Sequence, residues 1–195
     1  MKKTTIKDIS YISIYFSIIL IFSLVPFLGL IQVFSVSINL LTIIIVIATF
    51  HLGIKGSLFT ALFVGLGSFI SALIYGKPLF IFPDISIISR FMLGFISYFI
   101  YWIFRKKVTI FSVYINTFVT VLFNSILVTT VLFIHHSIAK IDFIQNFRIW
   151  VSLIWLNVVI EISILPILGI LLFKFIKFIH DKRMDESKNS SNIYY

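Results

Sequence analysis

The chain predicts an all-α integral membrane protein, a compact bundle of six transmembrane helices with both termini cytoplasmic. Hydrophobic residues make up 60% of its 195 positions and charged residues only 12%, whereas a soluble domain is roughly 45–50% apolar. The apolar residues fall into runs, each near the roughly 20 residues that a helix needs to cross the hydrocarbon core. The basic residues gather at the ends of those runs. Positions 1–180 therefore read as one transmembrane domain and 181–195 as a polar cytoplasmic tail.

A net charge of +9 does not point to nucleic acid, because the cations flank apolar runs rather than line one face; they act as topology signals. The absence of cysteine removes disulfides, thiolate metal sites and thiol nucleophiles together. No HExxH, GxSxG or GxxxxGK[ST] is present, so the sequence predicts neither an enzyme nor an ATPase, and no cofactor. The adjacent His135 and His136 point different ways on a helix and read as a loop cap rather than a metal site.

The first run, Ile9 to about Val25, follows a lysine-bearing leader and stops at Pro26. Ser10, Ser13 and Ser17 form a small face on it, suited either to close helix approach or to bonding back onto its own carbonyls. After a loop from Phe27 to Ser37, a shorter span covers Ile38 to Leu52 with Asn39 at its start. Gly53 to Gly56 is too short to cross anything, so the third span begins at once and reaches about Tyr75. Gly65, Gly67, Ser68, Ser71 and Ala72 give it a surface for tight packing. Pro83 and Asp84 open the fourth span, which ends at Arg105, Lys106 and Lys107. The fifth runs from about Val108 to Ile134 with Asn116 and Asn124. A loop with Lys140, Asp142 and Arg148 leads to the sixth, about Ile149 to Phe173, and Lys174 onward reads as a frayed tail.

Charge sets the orientation. Of the 16 lysines and arginines, all but Lys77, Arg90, Lys140 and Arg148 lie on the side of the termini, which is therefore predicted to be cytoplasmic. No inverted repeat divides the chain into two halves.

Arg90 is the costly residue. An arginine at mid-membrane costs roughly 2.5–3.5 kcal/mol on insertion scales, so it must find a partner, a cavity or the interface. The topology places it about two turns below the outer surface, in the same outward-facing half as Asn124 on the fifth span and as Trp150 and Trp155 near the outer end of the sixth, with Asn157 and Glu161 below them. Apolar walls with a few polar groups make a small-molecule pocket. The same residues also permit a simple Arg90–Glu161 ion pair with Asn124 and Asn157 as interhelical hydrogen bonds. The candidate substrate-binding set is Arg90, Asn124, Asn157, Glu161, Trp155, Asn39 and Asp84. Trp150 reads as an interfacial anchor.

The order of SLVPF (Ser23 to Phe27), VSINLLTIII (Val36 to Ile45), HLGIKGSLFTALFVGLGSFISAL (His51 to Leu73), FPDISIISRFMLGFISYFIY (Phe82 to Tyr101) and NVVIEISILPIL (Asn157 to Leu168) resembles the substrate-binding S components of energy-coupling factor (ECF) vitamin transporters. The resemblance implies a six-helix subunit that captures a vitamin-like molecule from outside. It also implies partners: a membrane-embedded coupling (T) subunit and, through it, two ATPase subunits. The family's small pair on the first helix, which contacts the coupling subunit, falls on Ser13 and Ser17. The block around Arg90 is most similar to members that take carboxylated vitamins such as pantothenate, and an arginine fork suits a carboxylate. In that reading Lys77 lies outside the site. The alternative is a non-transporting scaffold similar to the cell-shape membrane protein MreD, which needs no outward pocket.

Overall fold

The structure is a computed structural model, and it describes residues 6–25, 28–33, 36–139 and 147–191. Six α-helices form the bundle: α1 Ile6–Leu24, α2 Leu41–Leu52, α3 Ile54–Tyr75, α4 Ser89–Phe104, α5 Ile110–Ala139 and α6 Phe147–Ser191. A π-helical turn, Asp84–Ile88, leads directly into α4. Five of the helices are long and apolar enough to cross a membrane, and α2 is shorter. The predicted all-α membrane bundle is thus the observed one.

Contacts fix the directions of the helices. Lys55 pairs with Asp8 at 2.9 Å, Phe16 packs on Phe63, and the Tyr75 hydroxyl donates to the Leu24 carbonyl at 2.5 Å. Hence α1 and α3 run parallel, with α2 antiparallel between them in sequence. Ser57 Oγ donates to the Gly94 carbonyl at 2.6 Å, Ser97 bonds Asn116, and Trp150 bonds Thr129, so α3 to α6 alternate in direction. The beginning of α1 and the end of α6 therefore share one end of the bundle.

Helix α2 is the axis. Leu41, Thr42, Ile43 and Ile45 to Thr49 are all buried, as expected for a helix that is apolar all round. Against it pack Tyr15, Val121 and Leu165 on one side and Ile19, Ala61, Val64 and Leu93 on the other. Close approach elsewhere needs glycine. A Cβ on Gly65 would meet the Ile87 backbone at 2.9 Å, and one on Gly94 would meet the Ala61 Cβ at 2.7 Å.

Several boundaries differ from the sequence expectation. The second span does not begin at Ile38, because β1 (Leu30–Val33) and β2 (Val36–Asn39) form an antiparallel hairpin in what reads as a loop. His135 and His136 do not cap a loop, since α5 continues to Ala139. The stretch from Lys174 is not frayed as far as Ser191, where α6 ends. Lys140 and Asp142 lie outside the described residues, as do positions 192–195 of the expected tail.

Candidate functional site

At the end of the bundle away from the Arg105–Lys107 loop, the structure holds a cavity of about 350 Å³, within the usual range for small-molecule sites. Its wall is built from the last turn of α1 (Phe22, Ser23), Asn39 and Leu41 where the hairpin enters α2, and Ser68, Ser71 and Tyr75 on α3. Lys77, Leu79 and Phe80 follow from the next loop, then Arg90 on α4, Asn124 to Thr129 in part on α5, and Trp150, Ile154, Asn157, Val158 and Glu161 on α6.

Arg90 reaches the cavity because of the local backbone. The π turn forms one wider loop of helix, and turns of this kind recur at functional sites. The Ile85 and Ser86 carbonyls of that turn each accept from Arg90 Nη1 at 3.3 Å, and Ser89 Oγ lies at 3.5 Å. Ser86 Oγ donates to the Phe80 carbonyl, which fixes the loop beneath the guanidinium. The Phe80 ring centroid is 4.9 Å from Arg90 Cζ. An arginine has five N–H donors, and among the described residues only those on Nη1 find acceptors. Nε is buried with no partner, although the whole residue is only 4% exposed.

Glu161 makes no contact ion pair with Arg90, although the two charges lie close enough to act on each other. Its Oε1 accepts the Asn39 backbone N–H at 2.7 Å. Among the described residues the ion pairs within 4 Å are Lys55–Asp8 and His135–Asp84. The sealed Arg90–Glu161 clamp, one of the two sequence-level readings, is therefore not formed. Asn39 also caps α2, its Oδ1 accepting the Leu41 N–H at 3.1 Å.

Of the candidate set, Arg90, Asn124, Asn157, Glu161 and Asn39 come together on the wall. Two candidates do not. Trp155 is 55% exposed on the outer side of α6. It lies five residues from Trp150, about 140° away around a helix, so both rings cannot face inward. Trp150 is the one that does, and its Nε1 donates to Thr129 Oγ1 at 3.1 Å. The positions Trp150, Ile154, Asn157 and Glu161 follow the i, i+4, i+7, i+11 stripe of one helix face, a signal already present in the sequence. Asp84 is instead held by His135 Nδ1 at 2.5 Å, with Phe82 packed on the imidazole; it braces the π turn to the end of α5.

Lys77, placed outside the site by sequence reasoning, is on the wall. Its Nζ lies 3.4 Å from Ser71 Oγ and 5.9 Å from the Tyr75 ring centroid. Burial, and then the neighbouring Arg90 charge, hold its ammonium below the ordinary lysine value. Ser68 and Ser71 likewise face the cavity, while Gly65 and Gly67 of the same small-residue surface pack on Ile87 and Ser23.

Ser13 and Ser17 are exposed on α1, and their hydroxyls bond the Ile9 and Ser13 carbonyls of their own helix at 3.0 Å each. Neither hydroxyl bonds another helix among the described residues. No protein-family model and no curated protein matches the sequence.

Proposed function

We propose that this chain is the substrate-capture subunit of an ECF-type ABC importer in the cell membrane. It binds a vitamin or related micronutrient at the cavity from outside and delivers it through a separate coupling subunit driven by two ATPases. The observation that carries the reading is a buried guanidinium, with no carboxylate within 4 Å among the described residues, on the wall of a 350 Å³ cavity at the predicted outer end. Intramembrane charges mark substrate paths by default, and a scaffold of the MreD kind has no use for such a hollow. A carboxylated substrate such as pantothenate agrees with the free arginine fork. The exposed, short side chains at Ser13 and Ser17 leave α1 open to a partner helix.

Affinity purification of the full chain from its native membrane tests the proposal. The expected result is co-purification of a coupling subunit and an ATPase pair, with a small molecule released on denaturation. Recovery of cell-wall-synthesis or cytoskeletal proteins, with no small molecule, would overturn it.

A further inference from the structure

The charged residues on the cavity wall are Lys77, Arg90 and Glu161, one more cation than anion. Neither cation has a carboxylate within 4 Å among the described residues, where the ion pairs are Lys55–Asp8 and His135–Asp84; the Glu161 charge acts on Arg90 only from farther off. Lys77 contacts only a hydroxyl and a ring, and Arg90 contacts only neutral oxygens and a ring. Two like charges facing one low-dielectric space repel, and each is left with donors that no protein oxygen takes. On Arg90 these are the Nε–H, which is sealed from the cavity, and the Nη2 hydrogens, which suit an anionic oxygen. Glu161 has the complementary deficit, with Oε1 taken by Asn39 and Oε2 accepting from no described residue.

From this we infer that Lys77 and Arg90 together seat the anionic group of the captured molecule, while Glu161 Oε2 receives a hydroxyl, amide or ammonium hydrogen from the same molecule. The inference rests on the capture reading above and narrows its ligand class to small organic anions that carry a hydrogen-bond donor. Phe80 beneath the guanidinium and Trp150 supply apolar faces for the ligand's carbon skeleton.

The test is equilibrium binding to the purified full chain in nanodiscs at pH 7. The probes are acids paired with their uncharged twins: pantothenate with panthenol, nicotinate with nicotinamide, biotin with biotin amide. Mass spectrometry of any molecule extracted from the same preparation accompanies the binding. Wild type is compared with Lys77→Gln, Arg90→Gln and Arg90→Lys, each checked for a monodisperse elution profile; Arg90→Lys keeps the charge should the glutamine variant fail to fold. The expected result is an acid bound at least about tenfold more tightly than its twin, with a loss of about tenfold or more in Lys77→Gln and partial retention in Arg90→Lys. An extracted ligand that is an organic anion with a donor group supports the inference equally. A twin bound as tightly as its acid, or an extracted molecule that is neutral or cationic, overturns the anion seat and leaves capture standing. Unchanged acid binding in Lys77→Gln removes the lysine from the seat. No ligand in the panel and none in the extract overturns both readings.

Discussion

Arg90 illustrates how a single side chain is made tolerable inside an apolar bundle. Insertion costs roughly 2.5–3.5 kcal/mol. A desolvated cation over an aromatic face recovers about 2 kcal/mol, here with Phe80, and the Ile85 and Ser86 carbonyls add two bonds. Under the capture proposal, the Nη2 donors are left for the ligand. Glu161 divides its work in the same way, and two substitutions separate its roles. Glu161→Gln keeps an acceptor for the Asn39 N–H and is expected to retain thermal stability. Glu161→Ala is expected to lose about 1.5–3 kcal/mol in denaturant unfolding, as for a hydrogen bond to a charged group. Lys77 gives a pH signature. It attracts an anion only when protonated, and burial with Arg90 nearby lowers its pKa from 10.5. Acid binding should therefore be full at neutral pH and fall as pH rises through that lowered value, before an exposed lysine titrates; Lys77→Arg should abolish the alkaline loss. Arg90, Glu161 and Tyr75 are the other ionisable groups on the wall, and the Lys77→Arg comparison separates the lysine's part from theirs. These residues were partly legible in the sequence. Helical phase ties Asn157 and Glu161 to Trp150, and reading hydropathy without phase is what put Trp155 in its place.

At the scale of elements, the bundle is held by contacts that the sequence announces only as small or polar residues. Gly65 lets the π turn lie against α3, so that Gly65→Ala must displace the Ile87 backbone. Overpacking of this kind costs about 1–3 kcal/mol, and because the same turn presents Arg90, ligand affinity should fall together with stability in a combined thermal-shift and binding measurement. Asn116 clamps three helices. Its Oδ1 accepts from Ser97 and Thr120, its Nδ2 donates to the Ser97 carbonyl, and Ser97 also meets Thr49. Asn116→Ala should cost about 0.6 kcal/mol and at most about 1.7, the scale of interhelical bonds in membranes, with ligand binding retained because this cluster lies away from the cavity wall. The hairpin is the element that sequence reasoning missed. Its strands are apolar and run straight into the apolar α2, and Phe34-Ser35 offers none of the Asn-Gly or Gly signals that announce a tight turn. The Asp84–His135 pair was equally hidden, since nothing local links residues 51 positions apart.

For the whole molecule, the alternating helix directions place the cavity and the Arg105–Lys107 loop at opposite ends. The chain contains no cysteine, so single introduced thiols report sidedness without background. Ile81→Cys, on the loop beside the cavity, should react with a membrane-impermeant maleimide added to intact cells, and Lys106→Cys only after permeabilisation; the reverse pattern would invert the topology. One further consequence follows from the short second helix. Twelve residues rise about 18 Å, well below the roughly 30 Å hydrocarbon thickness, and the helix is enclosed by its neighbours rather than by lipid. The missing length is a shaft sunk into the protein itself, with Asn39, the last residue of the second strand, on its wall. Under the capture proposal, substitutions in the hairpin should alter which molecule fits while the surrounding helices keep their packing.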